Sequence, residues 1–242
     1  MRAADGKSLD IPTMENEIVY LFLGWLFGLL SPSIAERVKR HYQLRDVRCG
    51  IDTELKELKN RLVSTVCLLA SRSGKRDRQN LQWSLDHFKA YDGVYAKPQL
   101  IENTKNLLAL SDEQLAKIGD FQKAPPGEGL RLKTYRMPFL EAHITFIPLF
   151  DLRFQSTIFE VLNQLSFLNE EVALSRFYDQ KTFDSNTPAN HDILLKNLED
   201  SYINVKNISM KIVGLIDTIK TKGIPNQSLQ PSRPRTGRPA EL

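Results

Sequence analysis

Residues 18–35 read IVYLFLGWLFGLLSPSIA and carry no charged side chain. As a helix rising ~1.5 Å per residue, the run reaches ~27 Å, close to the ~30 Å hydrocarbon core of a bilayer. Tyr20 and Trp25 suit an interfacial end and a lipid-facing body. A cleaved secretion signal fits badly: the preceding segment is acidic, and the run leads into Arg37, Lys39 and Arg40 rather than a small-residue cleavage site. The run is therefore read as a transmembrane helix.

Charge on its two flanks gives an orientation. Residues 1–17 set Arg2 and Lys7 against Asp5, Asp10, Glu15 and Glu17, a balance of −2. Residues 36–48 set Arg37, Lys39, Arg40, Arg45 and Arg48 against Glu36 and Asp46, a balance of +3. Basic flanks stay in the cytoplasm, so the expected topology is single-pass, N-terminus outside, with the C-terminal bulk inside. The two cysteines agree. Cys49 and Cys67 lie on one expected helix about 27 Å apart, too far to bridge, and nothing calls for an oxidising compartment.

Within the anchor, Gly24 and Gly28 form a G-x-x-x-G, which puts two small residues on one face and lets a second helix approach closely. Pro32 withdraws one backbone donor and is expected to kink the helix, or to restart it with Ser31 as cap. The first 13 residues show no periodicity, and Met14 is an alternative start.

Beyond the anchor, helical periodicity dominates. Ile51, Leu55, Leu58, Leu62, Thr65 and Leu69 step by fours and threes, followed by a polar turn over 72–78. Phe154, Ile158, Val161, Leu165, Leu168 and Val172 make a second stripe. Leu194, Leu198, Ser201, Val205, Ile208, Ile212, Leu215 and Ile219 make a third, started by Thr187-Pro188 and stopped by Gly223 and Pro225. A 3.5-residue spacing sustained this far predicts coiled-coil-like packing. Between them, Leu81, Leu85 and Phe88 suggest an amphipathic helix, and Ser111-Asp112-Glu113-Gln114 is a capping box opening another to about Phe121. Residues 124–129 read as a loop, and 144–147 hold the one short strand-like pattern. Residues 139–150 are apolar but short for a span and carry Glu141 and His143, which favours a core or interfacial segment.

Chemical motifs are missing. No G-x-S-x-G, H-E-x-x-H, C-x-x-C or G-x-x-x-x-G-K-[ST] occurs, and the four histidines are scattered. Arg72, Lys75, Arg76 and Arg78 form the best basic cluster outside the membrane flank. The net charge is only +4, most of it in that flank and the C-terminal tail, so nucleic-acid contact is not expected. A mean hydropathy of −0.33 excludes a polytopic transporter.

Three segments, LFLGWLFGLLSPSIAERVKR (21–40), FQSTIFEVLNQLSFLNEEV (154–172) and NHDILLKNLEDSYINVK (190–206), cover about a quarter of the chain. Their layout resembles that of bacterial single-span, membrane-anchored helical proteins of unassigned activity. Some of those resemble effectors of anti-phage systems, including those encoded beside retrons. The resemblance rests on helix-packing patterns and implies a membrane-damaging protein released by an infection signal.

The reading is an all-α protein: an N-terminal transmembrane helix continuing into an elongated cytoplasmic helical bundle with coiled-coil-like packing. Its expected parts are an extramembrane tail (1–17), the transmembrane helix (18–35), the bundle (36–222) and a disordered basic tail (223–242). The expected function is non-enzymatic, at the bacterial inner membrane, with no catalytic or metal residues and no cofactor. The expected partners are the lipid bilayer, further copies in a homo-oligomer and a cytoplasmic protein. The sharper version is a partner-controlled, membrane-perturbing effector of abortive infection. The alternative is a tethered scaffold recruiting a cytoplasmic protein.

Overall fold

A computed structural model of the chain describes residues 14–221, apart from 75, 97, 126–127 and 185–186. The expected tail over 1–13, the basic tail over 223–242 and the stop signals Gly223 and Pro225 lie outside the described residues. Among the described residues every regular element is a helix. In chain order these are α1 (Met14–Arg72), α2 (Arg78–Lys89), α3 (Pro98–Leu108), α4 (Asp112–Gln122), α5 (Pro138–Ala142), a 3-10 helix (Ile144–Leu149), α6 (Leu152–Thr182) and α7 (Pro188–Thr221). Residues 14–17, placed in the tail by sequence, are helical and open α1. The chain divides into a unit ending at Asp52 and a second beginning at Thr53.

The second unit is organised by three long helical stretches. Leu55, Leu58, Leu62, Thr65 and Leu69 of the 51–69 stripe and all six positions of the 154–172 stripe are buried; Ile51, at the end of the first unit, is buried too. Each Leu, Ile or Val so buried contributes roughly 1.5–3 kcal/mol relative to exposure. On α7 the stripe is buried at Leu198, Ser201, Val205, Ile212 and Ile219 and half-buried at Leu194, Ile208 and Leu215, while Tyr202, Ser209, Val213 and Ile216 beside it are buried as well. A helix of 3.6 residues per turn drifts about 20° per heptad from a 3.5-residue stripe, so the buried face takes in neighbouring positions as well.

Side-chain bonds fix the directions. Glu171 accepts from Ser201 (2.9 Å) and Glu160 pairs with Lys211 (3.3 Å), so α6 and α7 run antiparallel. Lys59 pairs with Asp217, and Arg72 with Glu199 (3.0 Å), so α1 also runs antiparallel to α7. Arg72 additionally lies over the Tyr202 ring, 4.9 Å from its centroid.

Local signals set the ends. α1 stops at Gly74, whose φ of +70° is the left-handed conformation that glycine adopts without penalty. The N–H of Ala124 then bonds the Arg72 carbonyl (3.0 Å), which closes one of the last open acceptors of α1. Gly74 also meets Gly119 of α4 so closely that a Cβ on Gly119 would sit 2.3 Å from the Gly74 oxygen. Asp77 caps α2, Asp151 caps α6, and Ser111 with Gln114 forms the expected capping box of α4.

Two middle segments depart from the sequence reading. The strand-like pattern over 144–147 is a 3-10 helix, with Pro148 inside it lacking the donor a ladder needs. Residues 139–150 form no continuous helix; they break at His143, with Leu140 and Ile147 fully buried. α3 has no counterpart in the sequence reading.

Candidate membrane-spanning helix and the clamped segment

The N-terminal part of α1 is apolar and uncovered. A helix in a soluble core buries a stripe, as the 51–69 stretch does. Here Tyr20, Leu21, Trp25 and Phe27 are 71, 74, 61 and 65% exposed, and all but Leu26 of residues 19–35 are classed as exposed. α1 is the one helix among the described residues long and apolar enough to cross a membrane, and none of its apolar window is buried.

The candidate residues fall along this stretch. A Cβ built on Gly24 or Gly28 meets no atom within 4 Å, so packing within the chain does not require either glycine. α1 runs through Pro32 with Ser31 already helical, which removes the expectation of a restart capped by Ser31. Arg37, Lys39, Arg40 and Arg45 are all exposed. Arg48 is different: it is part-buried and its Nε bonds Asp52, one turn on, at 3.3 Å. Neither Cys49 nor Cys67 is joined in a disulfide.

A second feature has no local sequence signal. Residues 128–137 form no regular element, yet side chains of the long helices hold them. Tyr202 Oη accepts from the Leu130 N–H (2.6 Å), and Arg176 Nε donates to the Leu132 carbonyl (2.9 Å). Asn169 brackets Tyr135, accepting from its N–H (2.8 Å) and donating to its carbonyl (2.9 Å). The Tyr135 hydroxyl bonds Thr65 of α1. Glu54 accepts from the N–H groups of Phe139 (2.9 Å) and Leu140 (2.8 Å), serving donors that the first turn of α5 leaves open. These bonds replace the backbone pairing that an irregular segment would otherwise lack.

Burial pushes both phenols, Tyr135 and Tyr202, above the usual tyrosine range. The Thr65 bond and Arg61 charge oppose this at Tyr135, as do the Leu130 N–H and Arg72 charge at Tyr202. A folded-state value above the unfolded value of about 10 means that the folded chain holds these protons more tightly. Their contribution is complete below pH ~10 and is lost as pH rises through the folded values. The urea midpoint should therefore fall more steeply between about pH 10 and 11 in the native chain than in a Tyr135→Phe, Tyr202→Phe double variant. Parallel profiles would contradict the assignment.

Among the described residues no three His, Cys, Asp or Glu side chains converge as a metal site would require. His87 faces Asp217 at 3.9 Å, and His143 stacks on Phe139 with centroids 4.2 Å apart. Comparison with known proteins returned no matching family model, no similar curated protein and no similar solved structure.

Proposed function

We propose that this chain is a non-enzymatic protein of the bacterial inner membrane, anchored by residues 18–35 with its N-terminus outside and its helical bulk in the cytoplasm. The observation that carries this reading is the apolar, uncovered stretch of α1, bounded by a −2 flank and a +3 flank. A stretch this apolar exposed to water on every side is costly, and a bilayer removes that cost. Orientation follows from the basic residues just after it.

We further propose that the anchors of several copies assemble through the Gly24/Gly28 face and perturb the bilayer, and that a cytoplasmic protein partner holds this action in check. A single helix encloses no water path, because unsatisfied polar groups in hydrocarbon are costly, so leakage needs several packed anchors. The open space beside both glycines is where a second helix would fit. A defence role in abortive infection suits such a device, and the architectural resemblance to retron-associated effectors supports it. A tethered scaffold is the second reading. It is favoured by the extent of the helical part, which far exceeds what a minimal pore needs.

Assembly through the glycines is directly testable. Gly24→Ile with Gly28→Ile should weaken self-association in membranes by ~1–2 kcal/mol, about five- to thirtyfold, since branched side chains prevent close backbone approach. Neither change should disturb the fold, because neither Cβ meets a neighbour in the chain. A monomer–oligomer balance unchanged by the pair would reduce both glycines to lipid-facing residues.

A further inference from the structure

α1 runs without a break from the apolar stretch into residues 36–48, and the charges there are sorted by face. At 3.6 residues per turn, Arg37, Arg40, Arg45 and Arg48 fall within an arc of about 140°, with His41 among them. Glu36, Lys39 and Asp46 lie more than ~100° from the centre of that arc. The flank is therefore an arginine face backed by two acids and a lysine, not an even spread of charge. Arg37, Arg40 and Arg45 are exposed, and among the described residues none of the three side chains has a hydrogen bond or ion pair. Arg48, at the far end, is engaged by Asp52.

Orientation alone asks for positive charge close to a span, wherever it lies around the helix. A one-sided face asks for a ligand. Arg37 and Arg40 stand about 3 and 7.5 Å beyond Ala35 along the axis, level with a headgroup layer of about 5–7 Å on each side of the hydrocarbon. Helical side chains tilt toward the N-terminus, which here is toward the bilayer, so both guanidinium groups reach back into that layer. A guanidinium binds phosphate through two parallel N–H···O bonds, whereas a lysine offers only a point charge. Arg45, about 15 Å out, lies within about one Debye length, ~8 Å, of the outer edge of the layer.

We propose that the face carrying Arg37 and Arg40 binds the phosphate of an anionic phospholipid in the cytoplasmic leaflet, with Arg45 adding attraction from farther out. The proposal rests on the anchor reading above. A nucleic acid is the poorer fit, since its own charge would have to approach an anionic surface and displace the lipids already there.

The test is native mass spectrometry of the full-length chain in a nonionic detergent, titrated with phosphatidylglycerol or with phosphatidylcholine of identical acyl chains. Detergent removes insertion orientation from the comparison. The first phosphatidylglycerol should bind at least tenfold more tightly than phosphatidylcholine. Arg37→Gln and Arg40→Gln should each weaken phosphatidylglycerol about fivefold and leave phosphatidylcholine unchanged. Lys39→Gln, on the opposite side of the helix, should weaken it less than twofold. Equal affinity for the two lipids, or a Lys39→Gln loss as large as the arginine losses, would overturn the proposal. Displacement of the lipid by free inorganic phosphate, or tighter binding of a short single-stranded RNA, would overturn it as well. Alkaline carbonate extraction of cell membranes reads the anchor separately. A chain washed out of the membrane ends the anchor reading and this proposal together, whereas a retained chain without lipid preference ends this proposal alone.

Discussion

Expression of the native chain on its own should stop growth and collapse the inner-membrane potential. The effect should be large, because a conducting assembly acts on the whole cell. Replacing residues 18–35 by an unrelated neutral spanning helix should abolish the toxicity while leaving the protein membrane-bound. A tether needs only length and apolarity, whereas an assembling anchor needs the face carrying Gly24 and Gly28. A voltage-sensitive dye in expressing cells reads the outcome. An untouched potential in freely expressing cells would end the effector reading and leave the tethered scaffold in its place.

Removal of the Glu54 carboxylate should be the most damaging single polar change in the helical part. Glu54 serves two backbone donors at once, those of Phe139 and Leu140, and Leu140 is fully buried. Glu54→Ala leaves both without a protein partner, at roughly 1–3 kcal/mol each, less whatever water recovers, so about 2–4 kcal/mol in all. Glu57, one turn away, pairs with Arg61 at 3.2 Å on the same helix. Its removal should cost no more than about 0.5 kcal/mol. Equilibrium urea midpoints of the two variants in one detergent compare them directly. Equal losses would show that the Glu54 bonds contribute no more than a surface pair.

The long helices were legible because their burial repeats locally. Ile51 to Leu69 and Phe154 to Val172 announce a buried face through spacing alone, and the structure buries every member. The Ser111–Gln114 box and Pro188 marked helix starts for the same reason: each is a short-range interaction written in adjacent residues. The clamped segment was not legible. Asn169 lies 34 residues from Tyr135, Glu54 lies 85 from Phe139, and Tyr202 lies 72 from Leu130. No periodicity encodes such pairs, which exist only after α1, α6 and α7 have come together. α3 was written in the sequence and missed: Leu100, Ile101, Leu107 and Leu108 share one helix face with the buried Thr104, and Pro98 at its first position is a proper start signal.

In the proposed topology, residues 18–35 cross the inner membrane with the following helices in the cytoplasm. Paired C-terminal fusions test it most directly. A fluorescent protein at the C-terminus should glow, and a phosphatase active only in the periplasm should be silent at the same position. An active phosphatase with a dark fluorescent fusion would contradict the orientation, and with it the use of the basic flank from Arg37 to Arg48 as the cytoplasmic anchor point.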